Sequence, residues 1–399
     1  MDKPIYIVVT PFFPSSTNWR GSYCYDFVKA LQHEGSFDVR VFMPGGGDAY
    51  EYNGVRVRTF RARQLPSAIF PFLFARWNAA SFLRALALEH ISVSNVAVCH
   101  GHTATFSVYP RAVKKANPNC ITLLHHHDPQ SFGLNSGVLC HCWFYNLIEF
   151  PILRWYHEQI DLHVFISEMV KRSFISAPDA DWTQYSHYRR QMRCLPYRHV
   201  RVRHSVVLHN GVDLNIFKPL KSGMAKRDRF TIGTIGNFVD WKDQISLLRA
   251  AAILKEIGRD VKLIAIGSGP ELEGCKKYAV EKNLDVDFQG EVPHEKLVDF
   301  YQSIDLFVLP SYFEGFGCVF TEAYASGVPF ITCKGQGMDD LINEGEEWKW
   351  LCNQRDPVDL AGKIDMFMKN QWKQKLSATI DSYTLAERFV GVLRNWIAI

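Results

Sequence analysis

The sequence predicts an α/β protein made of two Rossmann-like, doubly wound domains. Three observations carry this expectation. Short apolar, β-branched runs alternate with longer helix-length segments along most of the 399 residues. The runs are apolar throughout, as strands of a parallel sheet covered on both faces must be. The rhythm also occurs twice, separated by a charged, turn-rich stretch. At roughly 150 residues per domain, the length itself fits two domains. A hydrophobic content of 47% with a net charge of +4 excludes a disordered or solvating chain. With 26 glycines, 18 prolines and no repeat of 20 to 50 residues, collagen-like, low-complexity and solenoid architectures are excluded as well.

In the first half, the apolar runs predict strands at Ile5–Val9, Asp38–Met43, Val55–Phe60, Val96–His100, Ile121–Leu124 and Leu162–Ile166, with helices at Tyr23–Glu34 and Trp77–Glu89 between them. The second half repeats the pattern. Strands are expected at Thr231–Ile235, Lys262–Ile266, Val286–Gln289, Leu306–Leu309 and Pro329–Thr332. Helices are expected at Lys242–Ile257, Glu271–Lys282, Lys296–Ser303 and Val319–Ser326. The stretch from Lys218 to Arg229 has linker composition, so the expected domains are 1–218 and 219–383. The last segment, 384–399, has helical spacing and can pack on either domain.

The apolar run Ile5–Thr10 is too short for a secretory signal and lacks a cleavage site. Leu65–Leu88 is interrupted by Arg76 and Arg84 and Gly137–Leu153 by Glu149, so neither is expected to span a membrane. Ten cysteines without a secretory signal read as buried or free thiols of a reducing compartment, and a cytoplasmic location is expected. Cys140, His141 and Cys142 lack a second ligand pair and read as packing rather than zinc binding.

Charge is uneven. Residues 1–218 hold 23 Lys/Arg against 15 Asp/Glu, and the remainder 22 against 26. The excess peaks at Arg189, Arg190, Arg193, Arg198, Arg201 and Arg203, interleaved with Tyr185, Tyr188 and Tyr197. This is either a solvated insertion or a surface for an anionic acceptor, a diphospho-lipid or anionic headgroups. No nucleic-acid recognition module accompanies it, and none is expected as a partner.

In doubly wound domains ligands sit beyond the carboxyl ends of the strands. The strongest signal there is "SYFEGFGCVFTEAYASGVPFI", Ser311–Ile331: a strand end, a loop holding Glu314, Gly315, Phe316 and Gly317, then a helix from about Cys318. Glycines let backbone approach a ligand, and a helix start offers N–H groups and a positive dipole end to phosphate. Glu314 lies in the loop and Glu322 one turn inside the helix, so they cannot act as one close pair. Glu314 can reach a reacting centre or sugar hydroxyls; Glu322 can accept hydrogen bonds from a cis-diol. Capping and dipole compensation is the structural alternative for both.

Two acids with seven residues between them, within "EGFG" and before "GVPFI", resemble the signature of the retaining GT-B glycosyltransferases, family 4 of the sequence-based classification (glycosyl transferases group 1). Further stretches resemble that family in order: "VFISEMVKRSF" (Val164–Phe174), "NGVDLNIFKP" (Asn210–Pro219), "IGTIGNFVDWKD" (Ile232–Asp243), "AIGSGPE" (Ala265–Glu271) and "FQGEV" (Phe288–Val292). The resemblance implies a GT-B fold, two Rossmann-like domains facing a central cleft. It implies that Lys242 contacts a donor diphosphate and offsets charge on the departing phosphate. It places Glu314 near the donor sugar and Glu322 on the nucleotide ribose, with Phe316, Gly317 and Cys318 supplying backbone N–H groups and Val292 lying near the base. In the N-terminal domain, Arg20, Gly21 and Ser22 face the diphosphate, with Gly21 as the close-approach position. The family carries an arginine where this chain has Asn237, so one diphosphate cation is missing.

Histidines cluster at two strand ends, His100 and His102, then His125, His126 and His127 followed by Asp128. Imidazole and carboxylate invite a metal-hydrolase reading, but no fixed ligand spacing is present. The resemblance instead assigns His127, with His126 in reserve, to the transferred sugar, oriented by Asp128. The pairs Asp179/Asp181 and Asp285/Asp287 read as solvated acids, not a metal–diphosphate motif. The resemblance thus implies a metal-independent, retaining hexosyltransferase acting by front-face attack, with no cofactor beyond its nucleotide-diphosphate sugar co-substrate. The acceptor is expected to be a saccharide or lipid-linked saccharide of cell-surface polysaccharide or glycolipid biosynthesis. Peripheral association with an anionic membrane, at the inner face of the cell membrane, goes with that acceptor. Two rival readings stay open: an epimerase or hydrolase of the nucleotide sugar, and a non-catalytic nucleotide-sugar-binding subunit motivated by Asn237.

Overall fold

The computed structural model describes residues 3–16, 18, 20–65, 72–129, 148, 150–175, 200–219 and 229–396. It divides into two compact units: one takes the chain up to Gly211 and again from Ser382, the other Val212–Asp381.

The first unit is an eight-stranded sheet of β1 (Ile5–Val9), β2 (Asp38–Pro44), β3 (Tyr50–Tyr52), β4 (Val55–Phe60), β5 (Val96–His102), β6 (Ile121–His126), β7 (Leu162–Phe165) and β8 (Ser205–Val207). Their spatial order is β3-β4-β2-β1-β5-β6-β7-β8, parallel except for the β3–β4 pair. The chain leaves β1 toward β2 and β4, then returns to β5 on its other side, which makes β1 a topological switch point. Tyr6, Val8, Val41, Val98, Leu123 and Val164 are buried beneath helix Ser22–Glu34, whose Val28 and Leu31 face them. The last helix, Ser382–Arg394, joins this unit: Ala386, Phe389, Val390 and Leu393 enter the same core, and Arg394 pairs with Glu34 at 3.1 Å. Each such large apolar side chain contributes roughly 1.5–3 kcal/mol on burial, which fixes the helix there.

The second unit is an all-parallel sheet of β9 (Phe230–Ile235), β10 (Val261–Ile266), β11 (Val286–Gly290), β12 (Leu306–Val308), β13 (Phe330–Cys333) and β14 (Leu351–Cys352), ordered β11-β10-β9-β12-β13-β14. The switch point lies at β9, whose neighbours are β10 and β12. Helices Gln244–Glu256, Leu272–Glu281, Cys318–Ala325 and Pro357–Asn370 cover it. The last of these opens with Pro357 and is capped by the Asp356 carboxylate, which accepts from the Val358 and Asp359 N–H groups.

Three details differ from the sequence reading. The boundary expected at 218/219 lies at 211/212, because the Val212 N–H donates to the Ile380 carbonyl (2.8 Å) and Phe217 packs on the rings of His294 and Tyr301. β5 and β6 run two residues further than expected, to His102 and His126, so the histidines at their ends are part of the strands themselves. The helix expected from Lys242 begins at Gln244, after a single 3-10 turn at Asp240–Lys242 and a left-handed Asp243 (φ 51°). Cys140, His141, Cys142, Asp179, Asp181, the linker 220–228, and Tyr185, Tyr188, Arg189, Arg190, Arg193, Tyr197 and Arg198 lie outside the described residues. Arg201 and Arg203 are exposed. Among the described residues, no helix is long and apolar enough to cross a membrane.

Candidate active site

In the second unit the loops after β9, β12, β13 and β14 converge at the carboxyl end of the sheet. Lys242, after β9, pairs through Nζ with Oε2 of Glu314, after β12; both side chains are largely buried. The two loops are also tied directly. The Ser311 hydroxyl (3.0 Å) and the Tyr312 N–H (2.9 Å) both donate to the Trp241 carbonyl. The Tyr312 hydroxyl donates to the Asp240 carboxylate. Arg355, from the loop after β14, donates to Asp240 Oδ1 (2.8 Å) and to the Tyr312 oxygen (2.6 Å), with its guanidinium 4.5 Å from the Tyr312 ring centre. Asp243 closes this loop from below: burial raises its carboxyl from 3.8 to about 6, against lowering by the Ser246 hydroxyl and Arg355.

Gln336 and Gly337, after β13, hold the main chain of Glu314. The Glu314 N–H donates to Gln336 Oε1 (2.7 Å), and the Gly337 N–H donates to the Glu314 carbonyl (3.0 Å). Gln336 is 1% exposed, and a Cβ on Gly337 would stand 1.8 Å from the Gly315 oxygen, so this crossing tolerates only glycine. Gly317 (φ 82°) then opens helix Cys318–Ala325 as its N-cap. Phe316 is buried and Cys318 half-buried.

Glu322 lies one turn inside the helix and is 6% exposed. The Tyr301 hydroxyl donates to its Oε2 (2.8 Å), and His294 Nε2 donates to its Oε1 (3.1 Å). A carboxylate accepts at about four lone-pair directions, so bonding capacity remains for a further donor. Burial and the neighbouring Glu322 together hold the Tyr301 hydroxyl far above its ordinary range. Asn237 is exposed, with its carbonyl accepting from Gln244 Nε2 (3.0 Å). Val292 is half-buried in a loop joined to the one after β10 by Gly267 N–H to Gly290 (2.6 Å) and Ser268 to Glu291 (2.5 Å). Asp285 precedes β11 and pairs with Arg229 (2.6 Å), away from the carboxyl end; Asp287 accepts from Gln289 (2.8 Å).

In the first unit, Gly21 (φ 89°) opens helix Ser22–Glu34, and a Cβ there would meet the Phe12 carbonyl oxygen at 2.5 Å. Its close approach is therefore to the loop after β1, which holds Phe12. The Arg20 guanidinium lies 5.9 Å from the Phe12 ring centre. His127 Nε2 bonds His102 Nδ1 (2.9 Å), so His102 helps to orient the ring. The His127 ring also packs on Tyr23 and His125, and this burial pushes its pKa down to about 3.

Lys242, Glu314 and the helix start at Gly317 thus come together in one unit, with Glu322 a turn away. Reading the sequence missed Gln336, Tyr301, His294 and Arg355. The run Gly335–Gln336–Gly337 directly follows a strand, and that was the available signal for the first of them.

Comparison with known proteins adds the lineage. The model for glycosyl transferases group 1 matches residues 219–384, and that for Glycosyltransferase Family 4 matches residues 21–181. The GDP-mannose-dependent alpha-mannosyltransferase of Corynebacterium glutamicum is 37% identical over 137 residues, covering 34% of this chain and 32% of that protein. The D-inositol 3-phosphate glycosyltransferase of Thermomonospora curvata is 30% identical over 181 residues, 40% of this chain and 42% of that one. The matches therefore span less than half the length of these curated relatives. Among solved structures, sucrose-phosphate synthase from Thermosynechococcus elongatus superposes with a TM-score of 0.69 at 19% identity, over 99% of both chains. Anabaena Alr3699/HepE in complex with UDP and glucose gives 0.66 at 16% identity, over 98% of this chain and 99% of that one. Such identities speak to fold alone, and the fold is GT-B. With two family models together spanning most of its length and two switch-point sheets, the chain belongs to the group 1 glycosyltransferases.

Proposed function

We propose that this protein transfers a sugar from a nucleotide-diphosphate sugar to an acceptor hydroxyl, with retention at the anomeric carbon. The carrying observation is the Lys242–Glu314 pair at the carboxyl ends of β9 and β12, beside the N-terminus of helix Cys318–Ala325. On this reading the diphosphate takes Lys242 as its cation and the helix Cys318–Ala325 as its dipole, while Phe316, Gly317 and Cys318 offer main-chain N–H groups. That arrangement supplies leaving-group stabilisation without requiring a metal. Glu314 faces the sugar, Glu322 takes the ribose diol and Val292 borders the base. In the first unit, His127 and Gly21 belong to the donor side. The leaving phosphate assists deprotonation of the incoming hydroxyl on the same face of the sugar.

The donor class is supported by HepE, whose structures hold UDP and glucose or UDP-glucose, and by the Corynebacterium relative named for GDP-mannose. The acceptor is a saccharide or lipid-linked saccharide of a surface polysaccharide or glycolipid. It is met at the cytoplasmic face of the membrane, to which the basic first half of the chain is drawn electrostatically. The exposed Asn237, where the family has a cation, favours a second reading: a subunit that binds donor without turnover. The test is to screen UDP- and GDP-sugars by thermal shift, then incubate each stabilising donor with and without saccharide acceptors, following product anomers by NMR. Acceptor-dependent formation of a retained glycoside supports transfer. Donor loss without acceptor, or binding without any product, overturns it in favour of a hydrolase or a binding subunit.

A further inference from the structure

The parallel pairing of β5 and β6 gathers histidines on one face of the first unit's sheet. His100 and His102 stand two residues apart on β5 and so point to the same side, and His125 on β6 is the register partner of His102. Each of the three places one ring nitrogen within 4.8 Å of the other two, and their exposures are 0%, 0% and 2%. His100 Nε2, His102 Nε2 and both nitrogens of His125 are buried without a hydrogen-bond partner. A buried polar atom left unpaired costs about 1–3 kcal/mol, so three such rings in one place call for a ligand.

We propose that His100, His102 and His125 form a site for one divalent transition-metal ion, zinc suiting the donor set best. A point equidistant from three atoms 4.8 Å apart lies about 2.8 Å from each, and closing to the roughly 2.0–2.1 Å of a zinc–imidazole bond needs small ring rotations only. The rings are already oriented from outside. His100 Nδ1 meets the Tyr6 hydroxyl (2.7 Å) and His102 Nδ1 meets His127 Nε2 (2.9 Å), which leaves each Nε2 for the metal. The ion would brace β5 to β6 and, through His102, set the ring of His127.

The neighbouring trio His126, His157 and His163 is a built-in contrast. It converges as closely, but both nitrogens of His163 are bonded, to His126 (2.9 Å) and to the His157 carbonyl (3.0 Å), so only His126 Nδ1 and His157 Nδ1 are left buried without a partner. The test strips the full-length protein with a chelator and titrates it with zinc, then with cobalt(II). One equivalent of zinc, a tetrahedral cobalt spectrum, and at least a hundredfold weaker binding in His102→Gln and His125→Gln but not in His157→Gln are expected. X-ray absorption on the zinc-loaded wild type should show about three imidazole nitrogens at roughly 2.0 Å, which decides the question even if the variants do not fold. No uptake, sulfur in the coordination shell, or unchanged affinity in His102→Gln and His125→Gln overturns the site.

Discussion

Lys242 and Glu314, 72 residues apart in sequence, meet as an ion pair at the carboxyl end of the second sheet. A pair this poorly hydrated gains more from Coulomb attraction than a surface pair does, and a diphosphate drawing on Lys242 competes with Glu314 for its charge. The two residues are thus coupled before any donor binds.

Replacing Glu314 should therefore separate binding from turnover. Glu314→Ala abolishes transfer, by at least ~10²-fold in kcat, the scale of losing one preorganised electrostatic group. Glu314→Gln should tighten nucleotide-diphosphate binding by up to about tenfold, about 1.4 kcal/mol, because Lys242 is released. Lys242→Met should weaken it. Calorimetry with UDP and GDP beside steady-state kinetics checks the pattern, and weaker binding in Glu314→Gln would contradict the coupling.

Glu322 depends on donors from outside its own helix. Tyr301→Phe removes one of the two bonds that hold its carboxylate, and should lower unfolding free energy by about 1–2 kcal/mol. Its effect on catalysis should appear in the donor KM, with kcat changed little. Glu322→Ala should do the same more strongly, since it strands the buried Tyr301 hydroxyl. Urea unfolding and donor-saturation curves measure both.

These two acids differ in how far the sequence exposes their surroundings. Glu314 and Glu322 are positioned by a strand, loop and helix that follow one another, so their places were legible from local pattern. Lys242 was legible only through the resemblance of its loop, Ile232–Asp243, to that of the family. Tyr301, 21 residues before Glu322, and Gln336, 22 after Glu314, matter only because the sheet folds them inward. The histidines show a different limit. A strand was expected to stop at His100, yet β5 continues through His102, whose ring packs at a tilt against His100 and Phe27 inside the core.

Gly337→Ala tests how tightly the Glu314 loop is set. The added methyl would fall 1.8 Å from the Gly315 oxygen and 2.9 Å from the Phe316 Cα, so the backbone of one loop must move. A shift of about 1 Å at a reacting group can cost 10²-fold in rate. Transfer should fall on that scale while UDP binding falls less, and stability should drop by about 1–3 kcal/mol. Near-normal kcat in a folded Gly337→Ala would mean the loop is free to relax.

Asp243→Asn gives a prediction in pH. Burial raises this carboxyl from 3.8 to about 6, with Asp240 raising it further and Ser246, Arg355 and Arg249 opposing. A folded pKa above the unfolded one means the native state favours the proton. The side chain then imposes no penalty below about pH 4, and a growing one as pH rises through 6, where the buried group must ionise. Asparagine has no charge to bury, keeps an oxygen for Ser246, and accepts the left-handed backbone at φ 51° at least as well. Asp243→Asn should therefore be more stable than wild type by roughly 1–2 kcal/mol at pH 7–8, with the gap closing between pH 6 and 4. Denaturation midpoints across that range decide it: a gap independent of pH would trace the gain to the backbone, and a gap widening toward acid would reverse the assigned sign.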